Sequence, residues 1–83
     1  MSLTTAEETL ARARDALLKA MAESIAEIPQ GLPSGMLYAA VMTVMNLDTY
    51  QGLIGILRDE GLITSDNHLL VITDKGRNWL QQS

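Results

Sequence analysis

Cysteine is absent from this chain of 83 residues. That excludes a disulfide scaffold, a thiolate metal site and a cysteine nucleophile. Phenylalanine is absent too, and the aromatic set is Trp79, Tyr38 and Tyr50. A core must therefore be built from Leu, Ile, Val and Met. No apolar run approaches the ~20 residues of a membrane-spanning helix. The N-terminus is polar and Thr-rich, unlike a secretory signal. A cytoplasmic, soluble protein is expected. Cations are few, and the net charge of −4 argues against nucleic acid as the main partner. What is plentiful is apolar content, at 47%, which excludes a disordered chain. The length allows one domain with one small core, burying roughly 60% of the unfolded surface.

Two overlapping capping boxes, Thr4 with Glu7 and Thr5 with Glu8, open a helix. Pro29 ends it, because the residue before proline disfavours the helical region. The helix spans about 23 residues, or ~35 Å. Its apolar stripe is Leu10, Leu17, Met21, Ile25 and Ile28, with Leu18 beside it. The opposite face carries Glu8, Arg12, Asp15, Lys19 and Glu23, a solvated face with favourable i,i+4 charge order. Residues 1–32 thus read as an amphipathic helix and linker, and residues 33–83 as the domain it packs on. Arg14 interrupts the stripe, and a helix this long overhangs so small a domain. The stripe Leu10, Arg14, Leu17 and Met21 is therefore expected to pair with a second copy, making a homodimer.

Residues 30–35 read as a loop, with Ser34 as the N-cap of a second helix. The segment from Gly35 to Met45 is apolar on nearly every side, so something must bury or cover it. Met36, Met42 and Met45 within it are expected to fill the core, since Phe is missing. Asn46 or Asp48 is placed to cap a third helix that runs to about Glu60, with Gly61 as its left-handed terminator. Two β-prone runs, 62–64 and 69–72, flank a turn over Ser65, Asp66, Asn67 and His68, with Asp66-Asn67 at its centre. They read as a hairpin whose Leu62 and Leu70 or Ile72 face the core. Thr73 or Asp74 caps a short last helix, Lys75 to Gln81. The fold class is mainly α with a small β-hairpin, α+β.

Two stretches carry a resemblance: Leu57…Gly61-Leu62-Ile63, and Leu70-Val71-Ile72-Thr73-Asp74-Lys75-Gly76-Arg77-Asn78-Trp79-Leu80. Over residues 33–80 the chain resembles bacterial winged helix-turn-helix regulators. The resemblance implies a winged helix, here with a long N-terminal and a short C-terminal helix. It also implies that the third helix offers its outer face to the DNA major groove, with Trp79 and Leu80 packing under the sheet. The stretch Pro33-Ser34-Gly35-x-Leu37-Tyr38-Ala39 is also similar to small bacterial and phage-type proteins.

The residues depart from the DNA-reading pattern. Leu47, Tyr50, Leu53, Ile54 and Leu57 make the core arc of the third helix. Its outer arc is Asp48, Gly52, Gly55 and Asp59, with Ile56 beside it and Gln51 and Arg58 at one edge. Base readout wants Arg, Lys, Asn or Gln there, and phosphate binding wants positive charge. Two glycines on an exposed helix face mark close approach by a partner backbone, tight internal packing, or an unselected surface. The turn Ser65, Asp66, Asn67 and His68 lacks a basic residue as well. His68 is the single histidine, with no metal-ligand or catalytic spacing around it. No catalytic residue, cofactor site, metal site or small-molecule site is expected. The function expected is a non-enzymatic interaction module that self-associates or docks on a protein. The alternatives are a DNA-binding regulator of the same fold and a structural phage or accessory protein.

Overall fold

A computed structural model describes residues 5–82; Thr4, and the side chains of Thr5 and Leu10, lie outside the described residues. The elements are α1 (Thr5–Ala26), β1 (Leu32–Pro33), α2 (Ser34–Val41), α3 (Leu47–Asp59), β2 (Ile63–Asp66), β3 (Leu69–Ile72) and α4 (Asp74–Gln81). The chain is mainly helical with one small antiparallel sheet, an α+β fold.

Helix α1 buries Leu18, Met21, Ala22 and Ile25 against the rest of the chain, while Leu17 and Ile28 are half-buried. The buried stripe is thus rotated slightly from the expected one, and Leu17 falls on its edge. The helix ends at Ala26, two residues before the expected stop. Its last turn tightens, with Ile28 N–H donating to the Ile25 carbonyl at 3.2 Å. Gly31 then turns the chain with φ +121°.

β1 was not expected, since the segment reads as a loop. Leu32 pairs with Leu70 and Pro33 with Leu69, giving a three-stranded sheet of order β1-β3-β2. Proline is tolerated because β1 is an edge strand. Ser34 N–H extends the pairing to the His68 carbonyl at 2.7 Å. Ser34 does not cap α2, contrary to expectation. Pro33 occupies that position without a side-chain bond, and Ser34 is the first helical residue. α2 is shorter than expected. It stops at Val41 in a turn where the amides of Val44 and Met45 share the Val41 carbonyl.

Asn46 caps α3, its side chain accepting from Thr49 N–H at 2.8 Å. The other end closes as a Schellman motif. Gly61 sits at φ +75°, its N–H donating to the Arg58 carbonyl at 2.9 Å. Leu62 N–H reaches back to the Leu57 carbonyl, also at 2.9 Å. Leu62 then drops into the core and the chain enters the hairpin.

The hairpin lies one residue later than expected. Ile63 pairs with Ile72 and Asp66 with Leu69. Asn67 and His68, not Asp66 and Asn67, form the two-residue turn, at φ 51° and 64°. Two left-handed residues make the primed turn whose twist matches that of the strands. Ser65 and Asp66 therefore belong to β2. The core contains Leu62, Ile63, Leu70 and Ile72 from this region, and Leu37, Met45, Tyr50, Leu53, Ile54 and Leu57 from α2, its turn and α3. Trp79 and Leu80 of α4 are half-buried against it.

The molecule measures 41 × 28 × 18 Å. Helix α1, at ~33 Å, approaches its longest dimension. Its described side chains from Ala6 to Thr9 and from Arg12 to Ala16 are exposed. Among the described residues, no helix is long and apolar enough to cross a membrane.

Candidate interaction surface

The outer arc of α3 is where the expectations converge. Asp48, Gln51, Gly52, Arg58 and Asp59 are exposed, and Gly55 is half-buried. A Cβ at Gly52 would meet nothing within 4 Å, so no internal packing accounts for this glycine. At Gly55 the nearest neighbour of such a Cβ is the Arg58 guanidinium, 4.0 Å away. Arg58 Nε lies 3.6 Å from the Asp59 carboxylate. The cation nearest to this arc is thus partly spoken for, though an exposed pair of this kind contributes little to stability.

Two side chains on α3 differ from the expected arcs. Leu47, expected inside, is 47% exposed. It is the first residue of the helix and lies beyond the edge of the core. Ile56 is half-buried against the core rather than beside the outer arc. The four residues Tyr50, Leu53, Ile54 and Leu57 are buried as expected.

Tyr50 ties α2 to α3. Its hydroxyl donates to the Ser34 carbonyl at 2.9 Å and lies 2.9 Å from the Ser34 hydroxyl. Burial pushes its pKa above the ordinary 10.0, and the Ser34 hydroxyl offsets part of that. The Tyr38 ring stacks obliquely on it, 5.1 Å between centroids. Between the two helices runs a groove of about 390 Å³, lined by Ser34, Tyr38, Leu47, Tyr50, Ile54 and Arg58 among others.

Met45 is buried, but Met36 and Met42 are 62% and 56% exposed, so these two do not fill the core. Val44 is 69% exposed. The outer face of α2 and the following turn therefore present Met36, Met42, Val44 and Leu47 to solvent. No charged residue occurs from Ile28 to Leu47, a run of 20 residues. That run was the available signal. An apolar helix eight residues long has too many apolar side chains to hide on one side of itself.

Of the α1 stripe, Met21 is 2% exposed within the chain's own core and is not available to a partner. Arg14 is exposed, 4.0 Å from Asp15, and Leu17 is half-buried. Leu10 lies outside the described side chains. At the hairpin, Ser65, Asp66, Asn67 and His68 are all exposed. A second, wider cleft of about 900 Å³ lies between α1, α3 and α4, floored by Leu18, Ile56, Leu57 and Trp79 and rimmed by Arg14 and Lys75 among others. Among the described residues no cluster of His, Asp or Glu is arranged to hold a metal ion. No protein-family model, no curated protein and no solved structure matches this chain.

Proposed function

We propose that this chain is a winged helix-turn-helix domain that works as a non-enzymatic interaction module, docking on protein rather than reading DNA. The fold half of the proposal is supported by the order of elements. A strand between the first two helices pairs with the second strand of the hairpin, and α3 follows α2 through a short turn. The motif that carries the sequence resemblance, Thr73 to Leu80, forms the junction between hairpin and last helix.

The single observation behind the functional half is the pairing of surfaces around α3. Its outer arc offers carboxylates and bare glycine where DNA readers offer cations and amides. On α2, the turn after it and the first residue of α3, the apolar side chains of Met36, Met42, Val44 and Leu47 are exposed. Residues 33–83 hold three cations, Arg58, Lys75 and Arg77, against five carboxylates. Exposed apolar side chains suit a protein contact, whereas DNA contacts are mostly hydrogen bonds to phosphate and sugar.

One observation favours a second reading, a DNA-binding transcriptional regulator. A short helix followed by an exposed third helix is the arrangement with which helix-turn-helix domains enter the major groove. A gel-shift series with mixed-sequence duplex across salt concentrations separates the two. The interaction module gives no complex at ~150 mM salt, because too few phosphates are neutralised. A discrete complex stable at that salt supports the regulator.

A further inference from the structure

We infer that the groove between α2 and α3 is the docking site for an acidic, apolar segment of another protein. The inference rests on the interaction-module reading and names the chemistry of the partner. The groove encloses about 390 Å³, within the range of small binding pockets. Its apolar lining comes from Tyr38, Tyr50 and Ile54, with Leu47, 47% exposed, at its mouth. Gly55 keeps it open. A Cβ at this position would meet only the Arg58 guanidinium, 4.0 Å away, so no internal packing requires the glycine. Glycine weakens a helix interior. What the missing side chain leaves in return is the free volume of the groove, which Gly55 lines.

Charge selects the occupant. Among the described residues, Arg58 is the only charged side chain that lines the groove, and no carboxylate does. It is also the only lysine or arginine between Lys19 and Lys75. A basic segment would meet its own sign there, and a neutral one would cover the guanidinium without pairing it. The hydroxyls at the groove are spent on each other. Tyr50 gives its single proton to the Ser34 carbonyl, so the Ser34 hydroxyl donates to the Tyr50 oxygen. Recognition of a carboxylate therefore falls to Arg58, whose planar fork can hold one through two parallel N–H bonds. Its contact with Asp59, 3.6 Å between exposed groups, is weak enough to give way. Leu47 and Arg58 are separated by ~16 Å of helix. A small anion cannot reach both the apolar mouth and the cation. A chain segment can, with an apolar side chain toward Leu47 and Asp or Glu at Arg58.

The probe is a displayed library of random peptides, selected on the full chain at ~150 mM salt and then titrated as free peptides. The selection should enrich peptides that place Asp or Glu near Leu, Phe or Trp. Gly55→Leu fills the groove and favours the helix, so it should melt no lower than the wild type yet bind the enriched peptides at least tenfold more weakly. Arg58→Gln should lose at least fivefold on the same peptides, and nothing on versions whose Asp or Glu is replaced by Asn or Gln. If Gly55→Leu melts lower, Arg58→Gln decides alone, since its side chain is exposed. Enrichment of basic peptides, or of none, overturns the inference. So do acidic peptides that bind a folded Gly55→Leu and Arg58→Gln as tightly as the wild type. A duplex titration of the same samples keeps the two failures apart. A chain that enriches no such peptide and binds no duplex loses only the assignment of the groove, whereas one that binds a preferred duplex loses the interaction-module reading too.

Discussion

Thr73 Oγ1 lies 2.6 Å from the Gly61 carbonyl oxygen, which joins the end of α3 to the start of α4. The same hydroxyl is 3.0 Å from the Leu62 carbonyl and accepts from Gly76 N–H at 3.0 Å. One side chain thus shares its proton between two carbonyls and caps a helix. Thr73 N–H adds a fourth bond, to the Leu62 carbonyl at 3.1 Å. Thr73 and Gly76 of the threonine-acidic-lysine-glycine motif are accounted for by this junction.

Thr73→Ala should therefore cost about 1–2 kcal/mol, a lost N-cap plus carbonyls left without their partner. Thr73→Ser keeps the hydroxyl and should lose less than half of that. Urea unfolding of the three proteins checks the order.

Gly76 and Gly52 should respond in opposite directions to alanine. A Cβ at Gly76 would collide with the Leu62 carbonyl oxygen and come within 2.7 Å of Ile72 Cδ1. Gly76→Ala should destabilise by about 1–3 kcal/mol through overpacking. Gly52 faces open space inside a helix, so Gly52→Ala should stabilise by about 0.5–1 kcal/mol. Thermal unfolding of both variants reads the two signs directly.

Tyr50 predicts a loss of stability in alkali. Burial raises its folded pKa above the unfolded 10.0. The folded chain holds the proton more tightly, so this stabilisation is complete below that pH and is lost as pH rises through the folded value. Tyr50→Phe leaves the Ser34 carbonyl without its donor and should cost about 1 kcal/mol at neutral pH. Its disadvantage should shrink at about pH 11, above the ordinary tyrosine range. Urea midpoints for both proteins at the two pH values decide it.

Charge reversal on α3 probes the outer arc. Asp48→Lys with Asp59→Lys changes the balance of that face by four charges at exposed positions. Non-specific duplex binding at low salt should rise at least tenfold, with a steeper salt dependence. Unchanged binding would mean that this face does not approach DNA at all.

Elements whose signals are local were legible in the sequence. Asn46, Gly61 and Thr73 each act within a few residues, and the ends of α3 and the start of α4 follow from them. β1 was not legible, because two residues containing a proline show no period and their partners, Leu69 and Leu70, are far along the chain. The hairpin turn slipped by one residue because Asp, Asn and His all tolerate the left-handed region. At the candidate surface the acidic arc of α3 was readable from helical spacing. The exposure of Met36 and Met42 was not, since residue type gives hydrophobicity but not whether neighbouring elements reach far enough to cover it.

The most direct measurement is selection of duplexes from a random pool at ~150 mM salt, followed by titration of whatever is enriched. An interaction module with Asp48 and Asp59 on its third helix enriches no reproducible motif and binds the pool only weakly, with affinity that vanishes as salt rises. A single motif bound at nanomolar affinity, and lost on Arg58→Ala, would contradict the account and make this chain a DNA-binding regulator.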